Sequence, residues 1–184
     1  SGSSERVILW PDTFNNHFHP ETAKAAVRVL EHAGLAVELP RAHLCCGRPL
    51  YDYGMLDAAK QRIREILNSL WREIDAGIPI IVLEPSCAAV FHDELRNLFP
   101  DDPRARRLTT LVSSLSAFLA RRSEPSMAPK GRPLAHRALV HVHCHQRALA
   151  GISADRQVLE RLGLEYDVVD AGCCGMAGSF GFER

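Results

Sequence analysis

Two adjacent cysteines followed at once by glycine occur twice in this chain, as Cys45-Cys46-Gly47 and as Cys173-Cys174-Gly175. Thiolates are soft donors suited to iron–sulfur clusters, zinc and disulfide exchange. Neighbouring residues of regular structure point different ways, so two adjacent sulfurs converge on one object only in a tight turn. A glycine directly after the pair supplies the positive φ of such a turn and lets backbone come close to a bulky ligand. In the second copy glycine recurs at Gly172, Gly175, Gly178 and Gly181. That would set several peptide N–H groups near two thiolates, which suits a cluster tuned by N–H···S bonds.

Two more cysteines complete the set: Cys87, after Glu84-Pro85-Ser86, and Cys144, between His143 and His145. The six sort into two triads, Cys45, Cys46, Cys87 and Cys144, Cys173, Cys174. A [4Fe–4S] cluster usually takes four thiolates, so each triad is one short. Either a further ligand completes a site, or the two triads pool into one. Gly47, Gly175, His143 and His145 are expected beside the metal rather than on it. Alternation would put His141, His143 and His145 on one face of a strand, which is also a zinc geometry. His141 is read instead as a residue packed in a sheet, and His17 and His19 as loop residues. Asp12 is a weak candidate for an oxygen ligand.

The elements that must position these groups alternate. Residues 7–10 read as a buried strand, 21–33 as a helix stopped by Gly34, and 35–39 as a second strand leading to Cys45. Residues 56–76 read as one long helix, 78–83 as a central parallel strand, and 88–98 as a helix with Cys87 at its N-terminus. Residues 108–120 read as another helix. Residues 121–135 carry three prolines, a glycine and several charges and read as a linker. Then the pattern restarts, with a strand at 138–143, a helix at 155–162, a strand at 164–169 and the second cysteine turn.

Val29-Leu30-Glu31-His32-Ala33-Gly34-Leu35 matches Val158-Leu159-Glu160-Arg161-Leu162-Gly163-Leu164, which points to an internal duplication. In that register Cys144 falls near Asp12. The expected fold is α/β: two Rossmann-like repeats facing each other, with parallel sheets and cysteine loops at the strand carboxyl ends. The first repeat spans 5–120 and the second 136–184. The second stops before any counterpart of the Ile80 strand or of Cys87, which predicts a piece of a longer protein. Ser1-Gly2-Ser3-Ser4 reads as a linker and is set aside.

Composition narrows the function classes. The 184 residues are 46% hydrophobic and 24% charged with a formal net charge of zero, and no basic patch is concentrated anywhere. Nucleic acid and anionic membranes are poor partners for such a chain. No apolar run approaches the roughly 20 residues of a membrane span. Adjacent cysteines in a long α/β chain without a secretory signal argue for ligands rather than a disulfide framework. No serine-hydrolase elbow, phosphate-binding glycine loop or nicotinamide fingerprint is present. Three chemistries stay open on the residues alone: an iron–sulfur redox module, a structural zinc domain, and a thiol–disulfide enzyme using Cys173 and Cys174. Glu84 beside Cys87 hints only weakly at thiol catalysis.

At Leu44-Cys45-Cys46-Gly47-Arg48-Pro49-Leu50-Tyr51-Asp52, Leu83-Glu84-Pro85-Ser86-Cys87, His143-Cys144-His145-Gln146 and 172–182 the chain resembles the cysteine-rich CCG domain family. That family includes the CCG-bearing subunit of heterodisulfide reductase, the iron–sulfur subunits of glycolate oxidase and anaerobic glycerol-3-phosphate dehydrogenase, and lactate-utilisation proteins. The nearest likeness is to the carboxyl-terminal part of FAD-linked oxidases. The family motif is a lone cysteine, then Cys-Cys-Gly, then Cys-x-x-Cys, holding a [4Fe–4S] cluster. The first repeat departs from it: no lone cysteine stands near Asp12, and Cys87-Ala88-Ala89-Val90 has one cysteine where the motif has two. Those departures weigh against a double noncubane cluster and for a single cluster, a zinc site or an empty site.

The resemblance implies electron transfer. A FAD domain of the parent protein would oxidise a D-2-hydroxy acid such as lactate, glycolate or 2-hydroxyglutarate. This domain would pass the electrons to a quinone, a cytochrome or a disulfide. The chain alone would not turn over substrate. The implied location is cytoplasmic, either free or peripheral to the inner membrane.

Overall fold

Continuous apolar runs make the inner strands of the first sheet. In the computed structural model, which describes residues 4–122, 136–175 and 181, the chain forms two compact units, Ser1–Ser114 and Leu115–Arg184. The predicted linker lies almost wholly outside the described residues, as does Gly178.

The first unit opens with β1 (Arg6–Leu9), a π-helical turn (Phe14–Phe18), α1 (Pro20–His32) and β2 (Ala36–Glu38). It continues with α2 (Arg48–Asp52), α3 (Leu56–Ser69), α4 (Trp71–Asp75) and β3 (Ile80–Val82). It closes with α5 (Pro85–Ala89), a second π-helical turn (Val90–Glu94), α6 (Leu95–Leu98), α7 (Pro103–Leu111) and β4 (Val112–Ser114). The sheet order is β2-β1-β3-β4 and every pairing is parallel, with Ile8 opposite Ile80 and Ile80 opposite Val112. A parallel sheet needs cover on both faces. Ile8, Trp10, Ile80 and Val82 point into one core with Ile63, Ile66, Leu67 and Ile74. Val7, Leu9 and Ile81 alternate to the other face and are buried as well. Trp10 meets Phe91 edge-on at 5.0 Å, worth about 0.5–1.5 kcal/mol beyond the area it buries.

The second unit comprises α8 (Leu115–Arg121), β5 (Arg137–His141), α9 (Cys144–Leu149), α10 (Ser153–Arg161) and β6 (Glu165–Val169), with β5 and β6 parallel. Arg161 donates to the carbonyls of Leu119, Ala120 and Arg122 at 2.9–3.2 Å and so holds α10 to the end of α8. A cation on those carbonyls satisfies groups the helix leaves open.

The duplicated helix ends have the same geometry. Gly34 and Gly163 take φ of 81° and 64°. Their N–H groups donate to Glu31 and Glu160, and the following Leu35 and Leu164 donate to Leu30 and Leu159. This is the left-handed glycine stop expected from the matched heptapeptides.

Three predicted elements differ. The helix read over 56–76 is two, broken at buried Leu70, where φ is −106°, and no proline or glycine announces the break. The helix read over 108–120 is interrupted by β4, whose three residues are too few to display a strand period. The strand read over 138–143 ends at His141, and α9 begins at Cys144. His141, His143 and His145 therefore do not share a strand face.

Candidate metal centre

Parallel pairing sends the carboxyl ends of β1, β2 and β3 to one edge of the first sheet, and Asp12, Cys45, Cys46 and Cys87 follow those ends. Cys46 and Cys87 are buried with their sulfurs 3.0 Å apart. Glu84 caps α5 by accepting the Ser86 N–H at 3.1 Å, and it also accepts the Ser86 hydroxyl. That cap starts the helix at Pro85 and sets Cys87 in its first turn. Glu84 is thereby occupied as a capping group rather than poised for thiol chemistry.

Gly47, at φ 80°, reverses the chain after Cys45-Cys46, and its N–H donates to Cys45 Sγ at 3.5 Å. A Cβ there would sit 3.4 Å from Arg62 Cβ and 3.7 Å from the backbone of Ala59, so α3 packs closely under the turn. Arg48, next in line, is buried between Asp52 at 3.1 Å and Glu94 at 2.5 Å. No local pattern in the sequence marks Arg48 as buried or Glu94, 46 residues further on, as its partner.

The thiols crowd one another. Its hydrogen bond with Cys46, and then burial, push the Cys45 thiol well above its ordinary value. Cys46 is helped toward the thiolate by its hydrogen bond with Cys45, yet contact with Cys87 and burial raise it overall. Thiols gathered in one place exchange their protons for a cation when a metal binds.

Asp12 is buried but is not a free ligand. Its carboxylate accepts from the Asn15 N–H at 2.9 Å and from Asn15 Nδ2 at 2.8 Å, capping the turn that follows β1. His17 and His19 are exposed at that turn.

The second unit repeats the arrangement on its own sheet. Cys144 follows β5, and Cys173 and Cys174 follow β6. Gly175 has φ 84° and its N–H donates to Cys173 Sγ at 3.4 Å, the counterpart of the Gly47 contact. Burial, and then a hydrogen bond with Cys173, hold the Cys144 thiol above its usual value, with Cys174 adding to the effect. Cys144, Cys173 and Cys174 are thus brought together. His141 Nε2 meets the Gly172 carbonyl at 3.2 Å and ties the ends of the two strands. His143 caps α9, its Nδ1 accepting the His145 N–H at 3.2 Å. A ring nitrogen of each of these two histidines and the Cys144 sulfur lie within 4.8 Å of one another.

A parallel α/β domain that gathers thiols around duplicated Cys-Cys-Gly turns is a cysteine-rich domain with donors that a soft metal centre would need. The donor chemistry fits an iron–sulfur cluster: soft sulfurs, glycine N–H groups aimed at them, and little competing oxygen. The family model for the cysteine-rich domain named for its CCG motif matches residues 12–92 and 138–184, and the chain belongs to that family.

Among relatives, the chain is 32% identical to lactate utilization protein A of Geobacillus kaustophilus over 183 residues, covering 95% of this chain and 74% of that one. It is 27% identical to an anaerobic glycerol-3-phosphate dehydrogenase subunit of Escherichia coli over 182 residues, covering 98% of this chain and 46% of that one. The chain therefore spans about half the length of that dehydrogenase subunit. No solved structure matches. Among the described residues no helix is long and apolar enough to cross a membrane.

Proposed function

We propose that this chain is an iron–sulfur electron-transfer domain of a FAD-linked oxidoreductase acting on a D-2-hydroxy acid of the lactate, glycolate or 2-hydroxyglutarate type. Cys45, Cys46 and Cys87 in the first repeat, and Cys144, Cys173 and Cys174 in the second, would hold [4Fe–4S] iron. A cluster supplies one-electron storage at a potential set by charge, N–H···S bonds and exposure. Gly47 and Gly175 would tune it by donating to Cys45 and Cys173. The flavin domain of the same parent protein would deliver electrons, and a quinone, cytochrome or disulfide would receive them.

The observation that carries this reading is the repeated turn, a positive-φ glycine whose N–H points at a cysteine two residues back. The family and a relative named as a dehydrogenase subunit support the redox assignment. Zinc is the second reading, favoured by the grouping of His143, Cys144 and His145. A thiol–disulfide enzyme using Cys173 and Cys174 is the third reading.

Anaerobic purification with iron, zinc and sulfide analysis and an absorption spectrum tests the reading. Iron and sulfide in near-equal amounts with a broad band at about 400 nm are expected. Zinc without sulfide would move the assignment to a structural site.

A further inference from the structure

Two elements carry the thiols of the first unit, and they meet at two points. Cys45 and Cys46 lie in the turn that Gly47 closes, and Arg48 opens α2 directly after it. Cys87 lies in the first turn of α5, whose helical path runs on through the second π-helical turn into α6. Glu94 is seven residues beyond Cys87 on that path, about two turns, which returns it to the same side. The first meeting point is sulfur on sulfur, Cys46 with Cys87 at 3.0 Å. The second is the ion pair of Arg48 with Glu94.

The side chains of that pair are 7% and 8% exposed. Arg48 Nε and Glu94 Oε2 are buried without hydrogen-bond partners among the described residues. Taking two charges out of water costs more than their attraction returns unless the remaining polar atoms are satisfied, so such a pair is a poor device for stability alone. Register is the better-attested use of a buried charge pair. Asp52 answers Arg48 from within α2 and fixes nothing across the two elements. Of the two carboxylates, only Glu94 reaches from one thiol-bearing element to the other. The turn that presents it is π-helical, a form that recurs at functional sites.

We infer that the Arg48–Glu94 pair is a positioning clamp, holding the helix of Cys87 against the Cys45-Cys46 turn so that these thiols are preset for a soft metal centre. The inference rests on the reading of Cys45, Cys46 and Cys87 as ligands. Setting the two elements before the metal arrives removes ordering that binding would otherwise have to supply. The device belongs to the first centre, since Met176 follows Gly175 in the second.

The test uses the full chain with Cys144→Ser, Cys173→Ser and Cys174→Ser, which leaves the first triad as its only thiols. The probe is cadmium, a soft cation whose thiolate bonds absorb in the ultraviolet, titrated anaerobically against a competing chelator. Urea unfolding of the metal-free chain is measured beside it. Glu94→Gln is expected to weaken cadmium binding about 10–100-fold. Asp52→Asn also takes a charge from Arg48, and is expected to lower the urea midpoint while leaving the affinity at the parent value. Arg48→Met with Glu94→Leu exchanges the pair for apolar groups, an exchange that often leaves a fold as stable or more so. It is expected to restore the midpoint and not the affinity. Affinity that is unchanged in Glu94→Gln, that falls equally in Asp52→Asn, or that recovers with the midpoint in the double variant would overturn the inference and leave the ligand reading standing. A parent chain that takes up no cadmium would overturn both.

Discussion

In the first unit two of the three cysteines are part of the core: Cys46 and Cys87 are 5% and 8% exposed and sit among Trp10, Phe91 and the inner residues of β3, while Cys45 is exposed. In the second, Cys173 and Cys174 are exposed and only Cys144 is partly covered. The turns themselves are alike, with matching glycine φ and matching N–H···S contacts. What differs is the support beneath them. Cys45-Cys46-Gly47 rests on α3 and is followed by Arg48 in a buried ion pair, whereas the second copy has Met176 at that place in the sequence. One duplicated motif thus occupies two settings. In the first its removal should disturb folding, and in the second it should disturb chiefly the metal.

The sharpest way to break that comparison is at Glu94. Glu94→Ala removes the closer of the two carboxylates paired with buried Arg48 among the described residues and is expected to cost about 3–5 kcal/mol, read as a lower urea midpoint of the metal-free chain. Next come the cysteines. Cys87→Ser places a hydroxyl in an apolar site and is expected to cost the metal-free chain about 1–3 kcal/mol, whereas Cys173→Ser should stay within about 0.5 kcal/mol. Both should lower bound iron. Equal destabilisation by the two would erase the distinction between the units.

Gly47→Ala and Gly175→Ala then ask whether the turn or its seat matters. Each forces an L-residue to φ near 80° and should cost about 1–2 kcal/mol by thermal unfolding. A larger loss at Gly47 would show that the contact with Ala59 and Arg62 adds to the strain.

The smallest effect concerns pH. Burial lowers the pKa of His92 in the first unit. Its folded value lies below the unfolded one, so the stability it contributes is present above the unfolded value and falls as pH drops through the folded one. His92→Gln should flatten the slope of stability against pH in that acid window, and an unchanged slope would refute it. The raised Cys45 and Cys46 thiols predict a dependence of the same sign for loading, since protons compete with metal and uptake should strengthen as pH rises.

Much of the local structure was legible in the residues. Val7 to Trp10 reads as a buried strand, residues 78–83 as a strand covered on both faces, and Gly34 and Gly163 as helix stops. The two Cys-Cys-Gly turns were recognisable because adjacent ligands need a reversal and the glycine permits it. Short or unsigned features were hidden. β4 is three residues whose strand character comes from pairing with β3, and the break at Leu70 carries no breaker residue. The alternation of His141, His143 and His145 suggested a strand that the chain leaves after His141.

The sequence alone therefore determined the parts list: six cysteines in two triads, the glycines that turn them, and an α/β frame with parallel strands. Those follow from local periodicity and from conformations open to few residue types. Only the tertiary structure decided that Cys46 comes within 3.0 Å of Cys87, that Arg48 finds Glu94, that Asp12 is occupied by Asn15, and that His143 caps α9. Each of these depends on which strand ends share an edge and on what surrounds a side chain there. Neither is written in the spacing along the chain.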